Sequence, residues 1–161
     1  VIDFPASPTN GQIFTSGALS WRFDGTKWVA QGAATASTPY IVGCFVPGPL
    51  AGSQLLLHHR FARAVALPAN FDGVGSNESQ AGGSVAATGS TVITVSKALA
   101  VTPTTFSNIG TITIIAGSVS PVFDTSAAPV AFAAGDVIRL IAPASPDAGF
   151  AGFNASLVFE G

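Results

Sequence analysis

Charge is what this sequence has least of. Asp, Glu, Lys and Arg make up 9% of its 161 residues and the net charge is −2, where an ordinary soluble domain carries about 25% charged residues. That balance offers no electrostatic footprint for nucleic acid or for an anionic membrane surface. Cysteine is nearly absent. Cys44 stands alone, which excludes an internal disulfide and a cysteine-ligated metal cluster. Methionine is missing altogether, so either the initiating residue has been removed or the chain is a piece of a longer protein. The most apolar stretch, residues 41–50, is broken by Gly43, Pro47, Gly48 and Pro49. It falls far short of the ~20 residues that a membrane-spanning helix needs, so no membrane insertion is expected. The first residues are too short, and lack the basic flank, to make a secretory signal.

Chemical motifs are a further absence. There is no G-x-S-x-G nucleophile elbow, no H-E-x-x-H zinc helix, no phosphate-cradling glycine loop and no D-x-D-x-D calcium loop. The carboxylates are scattered, most of them beside Gly or Pro. Asp136 and Asp147 flank one apolar run, as a glycosidase pair might, but each has a simple turn-forming role. The expectation is a non-enzymatic protein with no catalytic residues, no metal and no cofactor.

What is present is strand. Hydrophobic residues make up 48% of the chain, and they fall in short β-branched or aromatic runs closed by Gly, Pro, Asn or Asp. The last third is clearest. In 153–160, Phe153, Ala155, Leu157 and Phe159 share one face, and Asn154, Ser156 and Glu160 the other. A period of two is what a half-buried antiparallel strand requires. Gly135-Asp136 is a turn signal ahead of Val137-Ile-Arg-Leu-Ile, whose two faces are both apolar except for Arg139. A strand apolar on both sides in a small domain needs a neighbour beyond its own core. Val137, Arg139 and Ile141 are therefore the candidate subunit interface, with Arg139 pairing across it or with Asp136 or Glu160. A chain this poor in charge is expected to cover apolar surface in large subunit contacts.

Residues 1–31 read as a separate module. Asp24-Gly25 lies between two alternating runs, a strong hairpin signal. A two-residue loop pairs Phe23 with Thr26 and sets Trp21 opposite Trp28. The anchoring residues are then Trp21, Phe23, Asp24, Gly25 and Trp28, with the two indoles as the core of a small β-module. Residues 32–39 are small, polar and closed by proline, a linker composition. The sandwich unit is 40–161. Within it, 54–66 fits either helix or strand by pattern, and strand is chosen because its surroundings are all-β and Pro68 follows. His58 and His59, adjacent on that strand, point to opposite faces and cannot share a metal; one is packed and one exposed. Residues 70–89 read as a long polar surface loop, and 101–108 as a second loop before a strand at Ile109.

Two stretches resemble a known group. Phe4-Pro-Ala-Ser-Pro-Thr-Asn-Gly-Gln, followed by Trp21-Arg-Phe-Asp-Gly-Thr-Lys-Trp, looks like F-P-x-S-P-x-x-G-Q … D-G-x-x-W. That is a short module of virion surface proteins of tailed bacteriophages. Residues 53–161 are similar to a C-terminal β-domain of phage tail-fibre, spike and decoration proteins. The resemblance rests on Leu67-Pro-Ala-Asn-Phe, Ile109-Gly-Thr-Ile-Thr, Phe132-Ala-Ala-Gly-Asp and Leu157-Val-Phe-Glu-Gly. Lys97-Ala-Leu-Ala and a longer loop replace the K-N-G usual there before I-G-T.

The resemblance implies an all-β, antiparallel, jelly-roll-like β-sandwich with a small N-terminal β-hairpin module. It implies homotrimers and contact with capsid or tail subunits at the virion surface, after assembly in the host cytoplasm. The rival reading is a carbohydrate-binding adhesin that contacts host surface polysaccharide through Trp21, Trp28, Asp72 and Asn77.

Overall fold

The computed structural model describes residues 3–16, 19–31, 39–71, 79–125 and 128–161. The linker residues 32–38, and with them most of the expected 32–39 tether, lie outside the described residues, as do Asp72 and Asn77. The chain falls into two compact units, Val1–Thr38 and Pro39–Gly161.

The first unit is a three-stranded antiparallel meander of β1 (Ile13–Ser16), β2 (Leu19–Phe23) and β3 (Trp28–Gln31). The register corrects the expected hairpin. Phe23 faces Trp28 and Trp21 faces Ala30, so the loop holds four residues, Asp24–Lys27, instead of two. The cause is the Asp24 side chain. Its Oδ1 accepts the Thr26 N–H, the Lys27 N–H and the Thr26 hydroxyl, each at 2.9 Å. That closes a wider turn than a type I′ pair. A shift of two residues preserves the faces, so Trp21, Phe23 and Trp28 still share one side.

The second unit carries ten strands among the described residues. These are β4 (Tyr40–Phe45), β5 (Leu55–Arg60), β6 (Val65–Leu67), β7 (Gln80–Gly82), β8 (Thr91–Ala98), β9 (Phe106–Ile114), β10 (Pro121–Thr125), β11 (Val130–Phe132), β12 (Val137–Ile141) and β13 (Asn154–Phe159). One sheet runs in the order β10-β9-β8-β12-β5; a second is β4-β13-β7; β11 pairs with β6. A bridge between Ala66 and Glu160 ties β6 to the end of β13. The chain is all-β, with every pairing antiparallel.

The pairings β4 with β13, β5 with β12 and β6 with β11 are nested, as in a wound two-stranded ribbon. The nesting stops there, because β8, β9 and β10 form a plain meander. The two sheets, β4-β13-β7 and β5-β12-β8-β9-β10, make an antiparallel sandwich.

The core draws on both sheets. From the five-stranded sheet come Ile93, Val95, Ile112, Ile114, Ile138 and Leu140; from the facing strands come Val42, Val65, Leu67, Leu157 and Phe159. Phe61, Phe132 and Phe159 meet at one end, with centroids 4.7, 4.8 and 5.8 Å apart. Burying each such ring contributes roughly 1.5–3 kcal/mol. The alternation expected for 153–160 is present: Phe153, Ala155, Leu157 and Phe159 are buried, and Asn154 and Ser156 are exposed. The strand expected in 54–66 is broken into two, β5 and β6, by a non-strand segment at 61–64.

The two expected loops are loops over most of their described residues, with strand at 80–82 and from Phe106 onward. Within 70–89, β7 adds to β13, and the segment after it is strapped down. Ser84 and Val85 donate N–H to Ala151 O, and Ala87 to Ser118 O. The strap needs glycine at 83, since a Cβ there would run into the Phe150 ring. Asp147 holds the far end. Its carboxylate accepts Thr88 N–H, Thr88 hydroxyl and Gly89 N–H, and these bonds pull its pKa down to about 2. Within 101–108, strand β9 already begins at Phe106. The extra residue Ile109 makes a bulge, with Val95 paired to Gly110 and Ser96 to Asn108.

Candidate interaction surfaces

In the first unit each motif residue has a backbone or packing task. Phe4 stacks on Trp28 at 5.2 Å and 14°, meets Trp21 edge-on at 5.3 Å, and lies 5.1 Å from Phe14. Trp28 also packs on Phe23 at 5.4 Å. The five half-buried rings form a small aromatic core, the arrangement that gives such pairs energy beyond their area. Gly11, at φ 85°, donates its N–H to Phe23 O, and Gln12 Oε1 accepts the Thr9 N–H. Gly25, at φ 100°, allows the Asp24 turn. The N–H groups of Lys27 and Thr26 hold the exposed Asp24 carboxyl below the usual carboxylate range. The two Trp are core, as the sequence suggested, although they are not paired directly across the strands. Arg22 is exposed on the opposite face, between Ile13 and Val29.

In the second unit the candidate interface strand β12 is central, between β8 and β5. Ile138 and Leu140 face the core, and Val137, Arg139 and Ile141 face outward. Val137 is nevertheless buried, as are its cross-strand neighbour Ala98 and the nearby Ser96. The reason is Arg139. Its guanidinium passes over β8, where Ser96 and Ala98 are small, and stacks 3.7 Å above the ring of Phe106 on β9. His58 lies beside Arg139 across the strands and meets the Phe106 edge at 6.1 Å. The apolar second face of β12 is thus covered at Val137 from within the chain. Arg139 Nε is buried with no hydrogen-bond partner among the described residues.

The expected pairing of Arg139 with Asp136 or Glu160 does not occur among the described residues. Lys97 Nζ takes Asp136 at 3.0 Å and also donates to Ala131 O, while the backbone of Glu160 pairs with Ala66. Burial opposes ionisation of Asp136. The N–H groups of Ala133 and Ala100 and the Lys97 ammonium outweigh it, and the carboxyl titrates below its usual range.

The rest of that outer face is open. One row crosses the sheet as Asp124, Thr111, Thr94, Ile141 and Leu55, and the next as Val122, Thr113 and Val92. Leu55, Val92 and Val122 are 54%, 41% and 54% exposed. A second apolar patch lies on edge strand β4, where Ile41 and Phe45 are 60% and 67% exposed. No signal in the alternation alone marks Phe106, or the apolar row from Leu55 to Val122, as parts of one surface. The register creates them.

Of the two histidines, His59 is the packed one. Its Nε2 is 3.0 Å from the Tyr40 hydroxyl, and burial lowers its pKa. His58 is exposed. A cleft of about 280 Å³ is lined by Phe71 and Phe123 together with Asn70, Ser79, Gln80 and Ser120. Asn70 and Phe71 both have positive φ, 52° and 61°, a costly conformation for an aromatic residue. Among the described residues no three His, Cys, Asp or Glu side chains gather as a metal site, and no helix is long and apolar enough to cross a membrane.

No protein-family model matches the chain, and neither a curated protein nor a solved structure is significantly similar to it.

Proposed function

We propose that the chain is a non-enzymatic structural protein of a bacteriophage virion surface, a capsid decoration or a part of a fibre or spike. Copies of the sandwich associate with one another, and the N-terminal module attaches to other virion proteins. The observation that carries this reading is how the module's motif is used. Phe4, Gly11, Gln12, Asp24, Gly25 and Trp28 hold the module itself together, as expected of an assembly part repeated across structural proteins. The open Leu55–Val92–Val122 face supports self-association, because a monomer would leave it in water.

The adhesin reading needs an indole face free to stack on a pyranose. Phe4 already occupies one face of Trp28 and abuts Trp21, which favours the structural reading. Incubating the protein with purified capsids and tails, followed by co-sedimentation, tests the proposal. Saturable co-sedimentation with either is expected. Binding to host polysaccharide alone, abolished in a folded Trp28→Ala variant, would replace it with the adhesin.

A further inference from the structure

Among the described residues no carboxylate pairs with Arg139. The side chain is stacked on Phe106, with its buried Nε unpartnered. The Nε is sealed within the chain, but the residue is only partly buried, so the terminal N–H groups of this stacked guanidinium remain for an acceptor from outside. Among the described carboxylates of this unit, Asp136 is taken by Lys97 and two backbone N–H groups, and Asp147 by Thr88 and Gly89, while Glu160 follows β13 and bridges Ala66, outside the five-stranded sheet that carries Arg139. Asp124 differs. It is exposed on the same outer face as Arg139, and no hydrogen bond or ion pair reaches its carboxylate among the described residues.

Within one chain the two cannot meet. Asp124 is on β10 and Arg139 on β12, with β9 and β8 between them, so three strand spacings, roughly 14 Å, separate them. Two copies facing each other through this sheet can exchange them.

We infer that the acceptor for Arg139 is the Asp124 carboxylate of a second copy of this chain. The surface around the pair suits that occupant. Leu55, Ile141, Val92 and Val122, separated by Thr94, Thr111 and Thr113, make a pleated face with no other charge in the two rows that cross it. Such a face excludes water and strengthens a charge pair held within it. Arg139 and Asp124 on one self-facing surface also select the register of contact, because a slipped arrangement strands both charges; Arg60, a second cation on this face, donates its Nε to Gly135 O. The structure shifts the interface expected at Val137, Arg139 and Ile141: Val137 is sealed within the chain, and the contact centres on Arg139, Ile141 and the open row toward Val122. This inference rests on the self-association in the reading above, though not on the virion.

The test compares wild type, Arg139→Glu, Asp124→Lys and the double variant by sedimentation equilibrium of the full chain, with circular dichroism to confirm folding. Each single variant is expected to raise the dissociation constant by about tenfold or more, and the reversed pair to restore it to within a few-fold. The Asp124 carboxylate is exposed and meets no hydrogen-bond or ion-pair partner among the described residues, so Asp124→Lys keeps the test open if Arg139→Glu does not fold. A monomeric wild type overturns the inference, as do single variants that associate like wild type or a double variant that is no better than either. So does association that survives both charge variants and is lost in Phe45→Ser, which would put the contact on β4. Particle labelling is a separate readout: a labelled virion with unaffected charge variants removes this inference and leaves the proposed function standing.

Discussion

Lys97 and Asp136 form a 3.0 Å ion pair at one end of the sandwich, and Asp136 is almost wholly buried. The pair joins two connections and a strand. The Asp136 carboxylate accepts N–H groups of Ala133 in the β11–β12 turn and of Ala100 in the β8–β9 loop, and Lys97 reaches Ala131 O. Removing the cation leaves a buried carboxylate without its charge partner. Lys97→Met should lower stability by roughly 3 kcal/mol, read as a lower denaturation midpoint at unchanged slope.

Acid should unfold the protein in a defined window. Asp147, held near pKa 2, and Asp24 and Asp136, both below 3.8, have folded pKa values lower than the unfolded one. Their stabilising contribution is complete above the unfolded value and is lost as pH falls through the folded values, so stability should drop from about pH 4 toward pH 2. His59 adds an earlier decline: burial depresses its pKa below 6.5, so protonation disfavours the folded state as pH falls below that value. Urea melts across pH 2–8 measure both. Asp147→Asn should be less stable at neutral pH and lose less between pH 4 and 2.

The aromatic core of the module turns on Phe4, which touches three other rings. Phe4→Ala should cost the module about 2 kcal/mol, less than for a fully buried ring because Phe4 is half-buried. Tryptophan emission should shift to the red as both indoles gain water. Unchanged emission would mean that Phe4 is not what covers them.

The strap over Phe150 makes a glycine prediction. At Gly83 a methyl group meets the Phe150 ring and the Ala151 carbonyl. Gly83→Ala should therefore destabilise by about 1–3 kcal/mol, the cost of overpacking, whereas Gly48→Ala meets no neighbour and is strained only by its φ of 76°. Thermal melts of the two variants separate packing from backbone strain.

Much of the architecture was readable because the strands alternate. Residues 153–157 pack as their period of two requires, with Val158 buried on the other face as well, and Gly135-Asp136 turns as such a pair should: Gly135 has φ 89° and Asp136 N–H bonds Ala133 O. The failures have local causes. The Asp24-Gly25 loop is longer than the dipeptide suggests because a side chain, rather than the backbone, closes it. The start of β9 was hidden by the Ile109 bulge, which breaks the alternation. Strand β7 has too little apolar pattern to stand out and exists because β13 offers it an edge. Arg139 was legible as an isolated charge on an apolar strand. Its stacking on Phe106 was not, since that depends on the small Ser96 and Ala98 lying between them in the folded sheet.

Immunogold labelling of intact phage particles, with antibody raised against this chain, tests the central claim most directly. The account predicts gold at regular positions on the head or tail of the particle, and none on particles that lack the gene. Intact particles that carry the gene, remain infectious and bind no gold would contradict it.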